Sequence, residues 1–394
     1  MDTRLQVLRS RDGRTAHKAA RLRLRQAGIV EDTARPRMER SSDSQGDGVR
    51  PLHYLPRQTV SREQSQVYQG IQGEISRVGK EMRRIGIIDV DGGKSFPNIA
   101  LMKLSAYHKS LGDMVEWYDT FSLEPYDIVY MSKVFSFTPD YEYPVNAKEV
   151  IKGGSGYCID LVDGREVFHK ERDHDLPDEI EHIYPDYSLY PHLTKDTAYG
   201  FLTRGCPRGC SFCIVKDKEG RCSHKVADLS EFWRGQRNIV LCDPNILACK
   251  EWYDLLTQLR DSRANVDFNQ GLDIRMMTEE KADMLNGIRI KEIHFAWDRY
   301  EDGVGILPKL KMFSEVCPKK AHGHSAIVYT LVNYDTTLEQ DLERIYTLRD
   351  MGYWAYVMIY DKEHCKPVYR KLARWVNNRF VFAKCKRFED YLNK

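Results

Sequence analysis

The chain has 394 residues, 42% of them hydrophobic, and 60 Lys and Arg against 58 Asp and Glu give a net charge of +2 at pH 7. That length has room for more than one domain and an ample core, and the near-balance of charge excludes bulk attraction to nucleic acid or a membrane surface. No apolar run approaches the ~20 residues that span a bilayer, and no apolar leader-like stretch follows Met1. The ten cysteines therefore read as reduced thiols, and a cytoplasmic setting is expected.

Residues 1–81 are poor in apolar clusters and rich in Arg, Gln, Ser and Gly; Arg21–Arg25 alternates charge with Leu, and Ser41–Gly48 is a polar run. Such a segment cannot offset its ordering entropy by burial, so a disordered basic extension is expected. An RNA-binding or targeting arm is the other reading of its arginines. The pattern changes at Met82. Ile85–Val90 reads as a buried strand, Asp89–Asn98 (DVDGGKSFPN) as a glycine-containing turn, and Ile99–Ser110 as a helix carrying Leu101, Leu104 and Tyr107. Met114–Tyr118 and Ile128–Val134 follow as strands, and Glu149–Ile151 leads into a GGSGY stretch ending at Tyr157. This order predicts an open, parallel, flavodoxin-like α/β sheet over 82–157, its strand ends aiming loops at one crevice. Lys94 and Ser95 could meet a phosphate at the helix N-terminus. Residues 158–194 are polar and read as a connecting segment, in which His169, His174 and His182 lack the spacing of a metal pair.

Thr203–Cys213 reads TRGCPRGCSFC and follows the short apolar run Tyr199–Leu202. Its cysteines, Cys206, Cys210 and Cys213, are spaced C-x3-C-x2-C, close enough for three thiolates to converge on one metal centre. Gly205, Pro207 and Gly209 let the backbone wrap tightly there. A structural zinc site closes with four ligands, and an iron–sulfur cluster is usually held by four thiolates. Three leave a position open, which is what catalysis needs. Cys222 is the one nearby cysteine able to close a structural zinc site instead. The other cysteines form no second C-x2-C pair, so no auxiliary cluster is expected.

After the loop, Leu229–Arg234 reads as a helix and Asn238–Cys242 as a strand ending in Asp243-Pro244-Asn245. Cys249–Arg260 is a helix with Trp252, Leu255, Leu256 and Leu259 as its inner face. The strand Val266–Phe268 runs into Asn269–Arg275 (NQGLDIR), a concentration of amide, carboxylate and guanidinium unusual in a core. Thr278 N-caps a helix to Leu285. Strands at Glu292–Ala296, Ala326–Val332 and Tyr356–Tyr360 follow, with Trp297-Asp298-Arg299 ending the first and an amphipathic helix Leu338–Arg349 before the last. Active-site residues of β/α barrels collect at such strand ends. The tail over 363–394 mixes cations with Trp375, Phe380, Phe382 and Phe388. It reads as a helix whose aromatics pack inward, with single-stranded nucleic acid as the other reading.

The cysteine spacing, with the aromatic Phe212 just before the last cysteine, resembles the radical S-adenosylmethionine (radical SAM) superfamily over residues 195–362, and more weakly over 83–194. The resemblance implies a partial (β/α)6 barrel in which Cys206, Cys210 and Cys213 bind a [4Fe-4S] cluster whose open iron chelates S-adenosylmethionine. A flavodoxin- or ferredoxin-type donor would reduce the cluster, and cleavage of S-adenosylmethionine would yield methionine and a 5′-deoxyadenosyl radical that abstracts hydrogen from an unidentified substrate. It also implies cofactor contacts. Asp243 stands where the methionyl amino group is met, unless it only builds the Asp-Pro-Asn turn. Arg275 suits the methionyl carboxylate, and Gln270 and Asp273 suit ribose hydroxyls or substrate. Asp298 suits the ribose, with an ion pair to Arg299 as the other reading.

PNIALMKLSAYHKSLG after the first strand, GGSGY, and PDYSLYP over Pro185–Pro191 resemble the cobalamin-binding-type domain fused to many members. Where that domain supplies an axial ligand it uses D-x-H-x-x-G; here Asp89 and Asp91 have no histidine partner before His108. No cobalamin is expected, and the domain is expected to pack on the barrel and shape the substrate entrance. The alternatives are a cobalamin-dependent methylating or a methylthiolating member and, from another class, a zinc-stabilised nucleic-acid binder.

Overall fold

The computed structural model describes residues 82–162, 165–321, 323–362 and 364–393, so the extension expected over 1–81 lies outside it. The protein is α/β, with several parallel sheets. In the N-terminal region β1 (Arg84–Asp89), β2 (Met114–Trp117), β3 (Tyr126–Ser132) and β4 (Ala147–Gly153) form a parallel sheet in the order β2-β1-β3-β4. The near-continuous apolar run of β1 marks a strand buried on both faces. Ile85 and Ile87 pack with Leu101, Met102 and Leu104 of helix α1 (Ile99–Ser110), while Ile88 packs with Tyr126, Val129 and Met131 on the other face. Asn98 caps α1 by accepting from Leu101 N at 3.2 Å. Residues 158–194 are more than a connector. They carry an antiparallel ribbon, β5 (Ile159–Val162) with β6 (Arg165–Phe168), and bury Ile180, Leu189 and Tyr190 in the N-terminal core.

The second region runs through β7 (Thr197–Gly200), β8 (Thr203–Arg204), β9 (His224–Lys225), β10 (Asn238–Leu241), α2 (Trp252–Ser262), β11 (Asn265–Phe268) and α3 (Glu279–Gly287). It continues through β12 (Arg289–Ile290), β13 (Ile293–Ala296), α4 (Gly303–Val316), β14 (Gly323–Val332), α5 (Leu338–Asp350) and β15 (Tyr353–Ile359). Its parallel strands form two sheets, β12-β11-β10-β7 and β13-β14-β15. Leu272 N, just past β11, donates to His294 O in β13 at 2.8 Å and ties one sheet to the other.

Alternation along these strands decides what faces where. Ile239, Leu241, Val266, Phe268, Ile293, Phe295, Val328 and Val357 enter the main core with Leu255, Leu256 and Leu259 of α2. The residues between them turn to the opposite face, where Ile327, Tyr329, Leu331, Tyr356, Met358 and Tyr360 form a cluster of their own. Arg344 of α5, wholly buried, donates to Trp297 O at 2.6 Å, Asp298 O at 3.0 Å and Leu331 O at 2.7 Å, and pairs with buried Asp341 at 2.5 Å. One side chain thus holds the ends of β13 and β14 together.

Elsewhere, one expected helix shrinks and one helix goes unread. The helix expected at Leu229–Arg234 is only a single turn, Leu229–Glu231. Helix α4 was not legible, because Gly303, Gly305 and Pro308 disguise its apolar spacing. The tail forms α6 (Pro367–Asn377), α7 (Arg379–Lys384) and α8 (Phe388–Leu392). Trp375, Phe382 and Phe388 are buried in the main core, with ring centroids 4.9 and 5.3 Å from Trp375, and Phe380 stays exposed. Among the described residues, no helix is long and apolar enough to cross a membrane.

Candidate functional site

The cysteines lie in a loop whose neck is built first. Strands β8 and β9 pair antiparallel, Thr203 opposite Lys225 and Arg204 opposite His224, so residues 205–223 form a closed excursion. Gly205 has φ +80°, and a Cβ there would lie 2.1 Å from Cys222 O, so glycine is required by both conformation and space. Beside it, Cys206 N donates to Gly220 O at 3.2 Å. The Glu219 carboxylate accepts from Gly205 N at 3.1 Å and from Arg204 at 3.0 Å, while the Arg204 guanidinium lies 3.4 Å over the Phe201 ring. Ser223 Oγ donates to Asn245 O at 2.8 Å, joining the far side of the loop to the end of β10.

Asp243 fixes the near side. Its buried carboxylate accepts from Leu202 N at 3.2 Å, Thr203 N at 2.5 Å and Thr203 Oγ1 at 2.7 Å. Burial pushes its pKa up to about 6, against the lowering effect of the Thr203 and Leu202 donors. These bonds hold the chain entering the cysteine loop.

The rim of the loop reaches the ends of the other strands. Arg208, between the first two cysteines, donates to Asp273 at 2.8 Å, beyond β11. Asp273 also accepts from Arg275 Nε at 2.7 Å and Asn245 Nδ2 at 3.3 Å, and Arg275 Nη1 donates to Asp302 at 2.7 Å. Burial would raise the Asp273 pKa, but Arg275 and Arg208 outweigh it and hold the carboxyl below its usual range. On the other side, Phe212 packs edge-on against Tyr334 at 5.4 Å, and the Ser211 and Tyr334 hydroxyls hydrogen-bond. Phe212 thereby rests on the tyrosine cluster of β14 and β15.

These contacts bring the expected residues into one neighbourhood. Burial raises the Cys210 thiol pKa; Asp298, Cys206 and Asp273 add to that, and Arg275 opposes it. Gln270 sits half-buried in the turn after β11. Arg299, the alternative partner considered for Asp298, pairs with Glu301. Sequence reasoning misses Asn245, Arg208 and Tyr334. The only local signal is for Arg208, a cation inside the x3 gap of the motif, since the other two act across strands distant in sequence.

The donor set suits an iron–sulfur group. Cys206, Cys210 and Cys213 are of intermediate burial and in no disulfide, and Asn245, 1% exposed, donates to the Cys206 sulfur at 3.4 Å while its Oδ1 is buried with no protein partner. An amide donor beside a ligating sulfur is the outer contact that tunes a metal-bound thiolate. Among the described residues, no three His, Cys, Asp or Glu side chains are grouped as ligands of a single ion. A cluster makes a different demand, because each thiolate meets its own iron. In the N-terminal region His108 is not available as a ligand; it is buried and bonded to Asp113 at 2.7 Å and to the Tyr130 hydroxyl at 2.9 Å. Comparison with protein-family models and with curated proteins gave no match to this chain.

Proposed function

We propose that the protein is a radical SAM enzyme. In this reading the two parallel sheets of the second region are a partial (β/α)6 barrel with a seam at Leu272–His294, and the N-terminal sheet is a flavodoxin-like domain of the cobalamin-binding type without the histidine that ligates cobalamin. Cys206, Cys210 and Cys213 would hold a [4Fe-4S] cluster. When bound and reduced by a flavodoxin- or ferredoxin-type partner, cluster and S-adenosylmethionine together supply a 5′-deoxyadenosyl radical for hydrogen abstraction from a substrate. The chain's own residues set the conditions. Asn245 steadies the Cys206 sulfur as thiolate, and the Arg208–Asp273–Arg275–Asp302 chain of ion pairs holds the rim in register. Phe212 and Tyr334 keep water from one flank, and Asp298 offers a carboxylate to a ribose hydroxyl.

The observation that carries this reading is the C-x3-C-x2-C loop, closed at its neck, with Asp273, Arg275 and Asp298 in the electrostatic surroundings of Cys210. Anaerobic purification with iron, sulfide and zinc analysis tests it, followed by dithionite and S-adenosylmethionine with 5′-deoxyadenosine as the readout. About four irons per chain, with cleavage lost when Cys206, Cys210 and Cys213 are all changed to Ala, is the expected result. Stoichiometric zinc, no iron on reconstitution and no cleavage would overturn it in favour of a structural zinc site.

A further inference from the structure

Asn245 stands just past β10, in the turn that Asp243 opens, and is 1% exposed. Its backbone oxygen accepts from Ser223 Oγ at 2.8 Å, at the far end of the cysteine loop. Its side-chain nitrogen carries two hydrogens and meets two acceptors, the Cys206 sulfur at 3.4 Å and Asp273 Oδ2 at 3.3 Å.

Which end of an amide faces a sulfur is decided by its other neighbours. Asp273 is gripped by Arg208 Nε at 2.8 Å and by Arg275 Nε at 2.7 Å, so it is a carboxylate and only accepts. Turning the amide over would set Asn245 Oδ1 against that carboxylate, acceptor against acceptor. The nitrogen end is therefore locked, and its second hydrogen belongs to Cys206. This orientation has a cost, because Oδ1 is left buried with no hydrogen-bond partner among the described residues. A side chain kept for packing alone would avoid that cost, since an apolar group of the same shape leaves nothing unsatisfied.

An N–H aimed at a ligating sulfur acts on the uptake of an electron. The added electron increases the negative charge on the sulfur, and the N–H dipole stabilises that charge more in the reduced form than in the oxidised one. We propose that Asn245 is a positioning residue that sets the reduction potential of the centre held by Cys206, Cys210 and Cys213, making it easier to reduce. The inference rests on the iron–sulfur reading above and adds to it a residue outside the ligand set.

The test is a redox titration of the full chain, reconstituted anaerobically with iron and sulfide, with EPR of the reduced centre as the readout. Asn245→Leu keeps the shape and loses the donor. Its centre should be about tenfold harder to reduce, a fall of about 59 mV in midpoint potential, with iron content unchanged. A role in packing alone would move the melting temperature and leave the potential where it is, and that result would overturn the proposal. If Asn245→Leu does not fold, the native chain decides. Grown with asparagine carrying heavy nitrogen, its reduced centre should show a nitrogen coupling in pulsed EPR that changes with the isotope, and no such coupling would overturn the proposal. A native chain that takes up no iron overturns the iron–sulfur reading and this inference with it. Iron in the native chain, with the same potential in Asn245→Leu, overturns this inference alone.

Discussion

Both regions are parallel sheets that feed loops from their strand ends, yet the two sets of loops use their polar groups differently. After β1, the groups close on one another. Asp89 accepts from the Tyr190 hydroxyl at 2.7 Å, and Asp91 accepts from Val134 N and from the Thr138 hydroxyl, each at 2.6 Å. Asn98 both caps α1 and donates to Ser132. After β10 and within β13, by contrast, the Asn245 side-chain oxygen and both His294 ring nitrogens are buried with no hydrogen-bond partner among the described residues. An unmade hydrogen bond at a buried atom costs about 1–3 kcal/mol.

Three substitutions put pressure on that contrast. The largest effect belongs to Arg344, a group in the second region whose bonds are scaffold. Arg344→Met leaves Asp341 buried without its cation and frees three strand-end carbonyls, and about 3–5 kcal/mol of stability should be lost in urea unfolding. Removing both charges, as Arg344→Met with Asp341→Leu, should recover most of it; no recovery would mean that the carbonyl contacts, not the charge, hold β13 to β14.

Asp243 gives the next effect. Its folded-state pKa, about 6, lies above that of an unfolded carboxyl, so the folded chain holds the proton more tightly between about pH 4 and 6. Its contribution is therefore present at low pH and is lost as pH rises through that window. The difference in stability between the native chain and Asp243→Asn should change by about 2 kcal/mol from pH 4.5 to 6.5, with the native chain relatively better at the lower pH. A pH-independent difference would show that Asp243 is ionised throughout.

The smallest effect tests the N-terminal side. Tyr190→Phe removes the Asp89 hydrogen bond and should cost about 1–2 kcal/mol on melting without changing iron content. Loss of iron in this variant would show that the β1 loop belongs to the site after all.

Much of the fold is legible because strong periodicity survives burial. The ranges of α1, α2, α5 and the parallel strands follow apolar spacing closely, and the Thr278 cap stands where the sequence puts it. Short irregular packing is what escapes. The 158–194 segment is polar in composition but inserts Ile180 and Tyr190 into a core, and α4 hides behind glycines and a proline. Of the site, the cysteines and the residues at strand ends could be read from local pattern. Asn245 acting on Cys206, Tyr334 on Ser211, and the unpaired His294 depend on which strands become neighbours, and no local spacing records that.

The ribbon of β8 with β9 has a consequence for how ligands of the cysteines would be received. Closing a long loop costs entropy, and a metal that must gather its own ligands meets that cost on binding. Here the Thr203–Lys225 and Arg204–His224 pairs, Gly205 against Cys222 O, and the Asp243 clamp settle the ends beforehand. The ordering is charged to folding, so the loop is fixed at its base, and if a metal centre is bound there as proposed, stripping it should empty the loop without collapsing it.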